Sequence, residues 1–177
     1  ADSSTSGGVS YATTTGDTTV TLGAGFVEGS DNNSNTAVDL SVWNVGAVAV
    51  NGDFTVGAGV GSGSYSADQG DIDAAAAAAV DVSEWEAVEA GLTYVSGDLT
   101  FTASYSQATA KDYQAGTTIA STEKEDESEA TSMSLDYAVA SGVTTTIGYT
   151  TVDNSHEGTK QTASSGTSWY IGTKLSF

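Results

Sequence analysis

The stretch Leu99-Thr-Phe-Thr-Ala-Ser-Tyr-Ser106 alternates apolar or aromatic residues with threonine and serine at every second position. Side chains of a β-strand point alternately to opposite faces, so this pattern predicts a strand with one apolar face and one small, polar face. Immediately before it lies Ser96-Gly-Asp98, whose glycine can adopt the positive φ of a tight hairpin turn. The preceding segment, Val88–Val95, alternates in the same way. Together they predict a β-hairpin.

The same rhythm extends over the whole chain. Further tight connections are predicted at Thr15-Gly-Asp17, Asn51-Gly-Asp53 and Ala140-Ser-Gly142. Long, polar connections are predicted at Glu28–Asn35, Ser62–Glu84, Gln107–Glu129 and Thr151–Thr167. The remaining predicted strands are Val9–Thr14, Thr19–Val27, Ala37–Val50, Phe54–Val60, Ser132–Val139, Val143–Thr150 and Ser168–Phe177. The sequence therefore predicts nine antiparallel strands joined by alternating short and long connections.

Composition limits the classes of protein to consider. The chain has 177 residues, enough for one domain, and its 38% hydrophobic residues exclude a wholly disordered protein. The absence of cysteine removes disulfides and thiolate metal sites. A formal net charge of −19 argues against nucleic acid and favours cations as partners. The start, Ala1–Gly8, lacks the features of a signal peptide, so we expect any export signal to be removed or to lie upstream.

The alternation is typical of a transmembrane β-barrel. Barrel strands need only about 9–11 residues to cross a membrane, and they show their apolar face at every second position. In this chain the opposite face is dominated by glycine, threonine and serine. Such a face suits a water-filled interior better than a packed second layer. We therefore expect an all-β, antiparallel transmembrane barrel.

Aromatic residues cluster near the predicted strand ends. Four lie within a few residues of a tight turn: Phe54, Tyr94, Phe101 and Tyr137. Two more, Trp85 and Trp169, lie at the opposite ends of their strands. Transmembrane barrels carry aromatic girdles at both membrane interfaces, so we predict these six residues to be membrane-interface aromatics.

The end of the chain carries a resemblance to a known family. The segment Gly172-Thr-Lys-Leu-Ser-Phe177 is similar to the assembly signal of bacterial outer-membrane proteins, with Gly172, Leu175 and Phe177 at the matching positions. Tyr170 departs from that signal, which prefers a small or charged polar residue there. With the hairpin rhythm, the chain resembles the C-terminal half of Gram-negative general porins. The resemblance implies a bacterial outer-membrane channel for passive diffusion of small hydrophilic solutes, in contact with lipid and assembled as a homotrimer.

The strand count indicates that residues 1–177 are the C-terminal portion of a single barrel domain. Bacterial single-chain barrels have an even number of strands, whereas nine are predicted here. A porin of about 16 strands would place the missing ones upstream. A run of alanines at Ala74–Ala79 fits either a short helix in a loop or residues of undetermined identity.

Charged residues on the polar register are candidate pore-lining residues. They are Asp39, Glu89, Asp136 and Lys174. Three negative charges against one positive would concentrate cations in a water-filled pore. We therefore predict a channel that prefers cations.

An acidic segment is the one candidate metal site. Asp68, Asp71 and Asp73 place three carboxylates within six residues, and oxygen ligands of this kind suit calcium. The alternative is a solvated acidic loop. No other cofactor is predicted, and no catalytic constellation is visible because the chain has one histidine and no cysteine. We therefore expect a protein that is not an enzyme.

Two other interpretations remain open from the sequence. One is a narrow barrel of about eight strands acting as an anchor or adhesin, which requires that one predicted strand is wrong, with Val9–Thr14 as the first candidate. The other is a secreted, soluble β-sandwich whose acidity aids solubility.

Overall fold

The computed structural model describes residues 3–33, 36–69, 80–115, 124–156 and 163–176. They form nine strands: β1 (Ser3–Thr15), β2 (Thr18–Asn33), β3 (Thr36–Asn51), β4 (Phe54–Gln69), β5 (Val80–Ser96), β6 (Leu99–Ala115), β7 (Lys124–Ala140), β8 (Val143–His156) and β9 (Ser164–Leu175). All nine belong to one antiparallel sheet in which each strand pairs with its sequence neighbours, in the order β1 to β9. The predicted all-β antiparallel fold is confirmed.

The four tight turns contain glycines with positive φ. Gly16, Gly52 and Gly97 each begin a two-residue connection, with φ of 59°, 54° and 59°. A positive φ confined to the first turn residue is the pattern of a type II′ hairpin. Gly142 instead comes second in its turn, with φ of 76°, and the register of β7 shifts nearby. This bulge lets a different turn type join two twisted strands.

Backbone hydrogen bonds connect the second, third and fourth tight turns to the chain at the end of β5, β7 and β9 respectively. The amide of Val95 donates to the carbonyl of Asp53 at 2.9 Å, and the amide of Ala138 donates to that of Asp98 at 2.9 Å. The amide of Ser176 donates to the carbonyl of Gly142 at 2.8 Å. The tight turns therefore lie together at one end of the sheet, which we call the turn end.

Strand register separates the side chains onto two faces, because directly paired residues of antiparallel strands point to the same side. The apolar face carries Val9, Leu22, Phe26, Trp43, Val45, Phe54, Val56, Val60, Val88, Leu92, Tyr94, Leu99, Phe101, Ala103, Tyr105, Met133, Leu135, Tyr137, Ile147, Tyr149, Trp169 and Ile171. The small-residue face carries mostly glycine, serine and threonine, including Gly8, Thr21, Gly23, Gly46, Gly57, Gly91, Thr102, Ser104, Ser134, Thr146 and Gly172.

The strands extend farther from the turn end than the sequence predicts. For example, β4 ends at Gln69 and β7 begins at Lys124, both within predicted long connections. Backbone pairing continues there although apolar alternation has stopped. Beyond the apolar band the same face bears polar pairs: Lys111 Nζ lies 3.8 Å from Glu125 Oε2, and the Gln107 amide donates a hydrogen bond to Glu127. These strand bounds were predicted wrongly, because alternation detects only the part of a strand whose one face is apolar.

The sheet is a single layer in the part of the chain that the structure describes. No large side chain there is fully buried, and Leu135, on the central part of the apolar face, is 40% exposed. A soluble sandwich would cover that face with a second sheet, so the sandwich interpretation is not supported. The eight-stranded alternative is also not supported, since β1 pairs with β2 from Ser3 to Thr15.

Among the described residues we find no helix with the length and apolar character needed to span a membrane.

Candidate functional site

A trough runs across the small-residue face. It encloses a volume of about 1190 Å³ and is lined by residues of β1 to β6. Its floor is formed by small residues from successive strands, among them Gly8, Gly23, Gly46, Gly91 and Ser104. The small-residue face is therefore concave over these strands, as the inner wall of a barrel would be.

Four glycines of β4 form a continuous strip along this face. Gly57, Gly59, Gly61 and Gly63 occupy alternate positions, so all four point to the same side of the strand. We call this strip the glycine lane. Because glycine has no Cβ, the lane has no side chains of its own, and side chains from the neighbouring strand β5 can lie across its backbone.

The Trp85 side chain covers one end of the glycine lane. A Cβ placed on Gly63 would lie 2.5 Å from Trp85 Nε1 and 2.7 Å from Cε2, and one on Gly61 would lie 3.7 Å from Cη2. The long edge of the indole ring therefore runs along the lane from Gly63 to Gly61. Gly63 and Trp85 are direct cross-strand partners, and Gly63 is buried. The tryptophan occupies space that any other residue at position 63 would fill.

One polar side chain reaches the same lane. A Cβ on Gly59 would lie 3.2 Å from Glu89 Oε1. Asn44 of β3 is the direct partner of Gly61, but its amide atoms extend the other way and lie 3.4 and 3.5 Å from the Cβ position of Gly25 on β2. The site that the structure brings together is thus an indole and a carboxylate over a strip of bare backbone.

The structure corrects the prediction for Trp85. It was expected among the membrane-interface aromatics, but its register partner Gly63 lies on the small-residue face. The other five predicted aromatics, Phe54, Tyr94, Phe101, Tyr137 and Trp169, lie on the apolar face. At the turn end the rings of the first two stack with centroids 4.4 Å apart. Contact of these five with a membrane interface stays a prediction.

The predicted pore-lining residues divide between the two faces. Glu89, Asp136 and Lys174 lie on the small-residue face. Asp39 pairs with Ser30 and Ser66, in the register of the apolar face, so its predicted orientation was wrong. The reason lies in β3, which has apolar residues in both registers, so alternation alone could not assign its faces. Pairing with β2 and β4 assigns them.

Asp136 and Lys174 lie on the small-residue face away from the trough. The Thr146 hydroxyl donates a hydrogen bond of 2.5 Å to Asp136 Oδ1 across the β7–β8 pair. Lys174 pairs with Thr144 at the turn end of β9, where its side chain is exposed. Together with Glu89, these residues place both negative and positive charges on the described small-residue face.

The structure accounts for Tyr170, which departs from the assembly signal. Tyr170 pairs directly with Gly148 on the small-residue face, and its ring occupies the position that a Cβ of Gly148 would take. Gly148 is buried as a result. Among the residues predicted to guide assembly, Gly172 lies on the small-residue face and Leu175 on the apolar face, whereas Phe177 lies outside the described residues. Their role in insertion stays a prediction.

The predicted calcium site cannot be located. Asp71, Asp73 and the run Ala74–Ala79 lie outside the described residues, as does the side chain of Asp68. Across the described side chains, no three histidine, aspartate or glutamate residues are grouped so that they could hold a metal ion.

Comparison with known proteins gives a family match and two related folds. A family model described as Gram-negative porin matches residues 1–157. No curated protein matches the sequence significantly. Among solved structures, the chain is similar to a loop L8 deletion mutant of OmpT, an outer membrane protein of Vibrio cholerae, with 18% identity and a TM-score of 0.55. It is also similar to BauA, the ferric preacinetobactin receptor from Acinetobacter baumannii, with 9% identity and a TM-score of 0.59.

The two structural matches cover unequal shares of the chains compared. They include 94% of this chain and 51% of OmpT, and 97% of this chain and 37% of BauA. The chain therefore spans about half the length of the Vibrio protein. At these identities the likeness shows the fold alone.

Proposed function

We propose that this chain forms part of the wall of a water-filled channel for passive diffusion of small hydrophilic solutes. The chain belongs to the Gram-negative porin family. The family and the Vibrio neighbour place the protein in the bacterial outer membrane. The observation that carries the proposal is the difference between the two faces. One carries exposed aliphatic and aromatic side chains suited to lipid. The other is a concave surface rich in glycine, serine and threonine, which suits water and to which only β3 adds several aliphatic side chains, such as Val48 and Val50.

The proposed channel prefers cations. On the described small-residue face Glu89 places one carboxylate in the trough, and Asp136 and Lys174 place one negative and one positive charge near the turn end. Carboxylates in a narrow aqueous passage raise the local concentration of cations and lower that of anions. The strongly negative net charge of −19 acts in the same direction.

We further propose that residues 1–177 are the C-terminal portion of a single, larger barrel. Successive antiparallel strands reverse direction, so β1 and β9 run the same way and would form a parallel pair if they closed on each other. An odd number of further strands allows every pair in the barrel to be antiparallel. The 51% coverage of the Vibrio protein supports about seven more strands, giving roughly 16, as in porins. Because porins commonly assemble as trimers, we expect the assembled protein to be a homotrimer surrounded by lipid.

Reconstitution of the full-length protein tests this function. After folding in detergent and insertion into planar bilayers, we expect stepwise conductance, and liposomes containing the protein should swell in small sugars faster than in large ones. A folded, membrane-inserted protein that passes neither ions nor sugars would contradict the channel. An anchor or receptor would then be the better account.

The mass of the denatured protein tests the proposed barrel size separately. We expect about twice the 17.7 kDa of this chain. A mass close to 17.7 kDa would contradict the proposed upstream strands. Cross-linking in detergent would show whether three copies associate.

A further inference from the structure

The glycine lane brings together an aromatic ring and a carboxylate that are distant along their own strand. Trp85 and Glu89 are four positions apart on β5, a separation of about 13 Å for backbone atoms. Both side chains lean onto β4, where they approach Gly61 and Gly59 respectively. These two glycines are successive positions on one face, roughly 7 Å apart. A small molecule seated between them could contact both groups.

The charges around this place favour a positively charged occupant. Within β3 to β6, the described side chains on the small-residue face include no lysine, since Lys111 lies on the apolar face. The direct register partners of Glu89 are Gly59 and Ser106, which bring no charge. Tryptophan is the aromatic residue that attracts a cation most strongly through its ring face. Indole and carboxylate therefore act on the same kind of ligand.

We propose that Trp85 and Glu89 form a binding subsite for small organic cations, such as an ammonium group carried on a compact apolar body. Trp85 supplies the ring and apolar contact, and Glu89 supplies the opposite charge. The subsite rests on the proposed channel function, because it faces the trough through which solutes would pass. It adds a preference for one class of solute to a passage that otherwise selects by size.

The test compares two probes that differ in charge and scarcely in shape. Choline carries a quaternary nitrogen, and 3,3-dimethylbutan-1-ol has a carbon atom in its place. Each is added to the full-length channel in a planar bilayer while the potassium current is recorded. We expect choline to reduce the current in a saturable manner at concentrations at which the neutral alcohol has little effect.

Two variants locate the binding. We expect Trp85→Leu, which removes the ring but keeps an apolar side chain, to weaken choline inhibition by about two- to fivefold. Glu89→Gln, which removes the charge at nearly constant size, should weaken it to a similar extent. The matched control is Glu86→Gln on the same strand, because Glu86 lies in the register of the opposite face. That variant should retain the inhibition of the original protein.

The outcomes separate this proposal from the channel on which it rests. A channel that conducts potassium but responds equally to choline and to the alcohol overturns the subsite alone. So does unchanged choline inhibition in both variants. If Trp85→Leu lowers the yield of folded protein, Trp85→Phe keeps a smaller ring over Gly63 and should give an intermediate inhibition. A folded protein that conducts nothing overturns the channel and the subsite together.

Discussion

The two faces of the sheet differ in how specific their residue composition is. The apolar face has one requirement, contact with a hydrocarbon surrounding, and almost any combination of aliphatic and aromatic residues meets it. The small-residue face combines bare backbone, two covering aromatic rings, Glu89, Asp136 and Lys174. The comparison teaches that alternation of apolar and polar residues indicates which face of a strand suits lipid and which suits water. It does not identify which side chains on the small-residue face approach one another.

Two large aromatic residues on the small-residue face share one local arrangement. Trp85 and Tyr170 each lie opposite a glycine, and each covers the backbone of that glycine. Gly63 and Gly148 are both buried by their partners. Covering a glycine in a sheet removes backbone from water and supplies packing that glycine lacks. The positions of Trp85 and Tyr170 are therefore explained by their glycine partners, and the same arrangement occurs on the apolar face, where Phe26 covers Gly7.

The largest effect should come from placing a charge on each face in turn. We expect Ala103→Lys, on the apolar face, to lower the free energy of unfolding by about 2–4 kcal/mol, because a lysine near the bilayer midplane loses its hydration. The adjacent Ser104→Lys, on the small-residue face, should change it by less than about 0.5 kcal/mol. The measurement is denaturant-induced unfolding in lipid vesicles.

Neighbouring positions with the same substitution make this a direct test of the two faces. Ala103 and Ser104 belong to one strand and are both well separated from the turns. Equal destabilisation by the two lysines would show that both faces meet an apolar surrounding. The proposed water-filled interior would then be wrong.

Much of the fold could be predicted from the sequence, because its dominant signal is periodic. Apolar alternation located the nine strands, and the glycine-containing connections located the four tight turns with their positive φ values. The outer strand ends, such as Gln69 of β4, could not be found in this way. Polar residues on both faces remove the alternation while the backbone hydrogen bonds continue.

The next prediction concerns two glycines of the small-residue face that differ in what surrounds them. A Cβ on Gly63 would meet the Trp85 ring, whereas nothing lies within 4 Å of the Cβ position of Gly23. We expect Gly63→Ala to displace the tryptophan and lower the free energy of unfolding by about 1–2 kcal/mol. Gly23→Ala should be neutral or stabilising by about 0.5 kcal/mol, since alanine has less backbone freedom to lose.

Tryptophan fluorescence provides the readout specific to the displaced ring. Gly63→Ala should change the emission of the folded protein, and Gly23→Ala should leave it unchanged. If the two variants are equally stable and have the same emission, Trp85 does not lie over the glycine lane. The proposed organic-cation subsite would lose its geometric basis at the same time.

A smaller effect is expected from the second covered glycine. Replacing Tyr170 by alanine should expose the backbone of Gly148 and lower the free energy of unfolding by about 1 kcal/mol. Tyr170→Phe keeps the ring and should retain nearly all of the stability, so it is the matched control. Both are measured by denaturant titration in detergent. A loss of stability in the phenylalanine variant would assign the contribution to the hydroxyl group instead of the ring.

The candidate site was less accessible to sequence reasoning than the fold. The glycines at positions 57, 59, 61 and 63 are visible as an alternating series, but the residues that lie over them, Trp85 and Glu89, come from the neighbouring strand β5. Trp85 was therefore assigned to the wrong face. Asp39 was assigned incorrectly because both registers of β3 contain apolar residues. In each case the deciding fact was cross-strand register, which single-strand alternation does not contain.

The smallest effect expected is a change in ion selectivity. The test compares the loss of one negative charge from each face of the sheet. Asp136 and Glu129 lie on the same strand, β7, but in opposite registers. We expect Asp136→Asn to move the reversal potential in a potassium chloride gradient toward that of a less cation-selective channel, because a carboxylate facing the passage is lost. Glu129→Gln removes the same charge from the outer surface and should leave the reversal potential unchanged. Equal shifts in the two variants would mean that net charge, independent of face, sets the preference for cations.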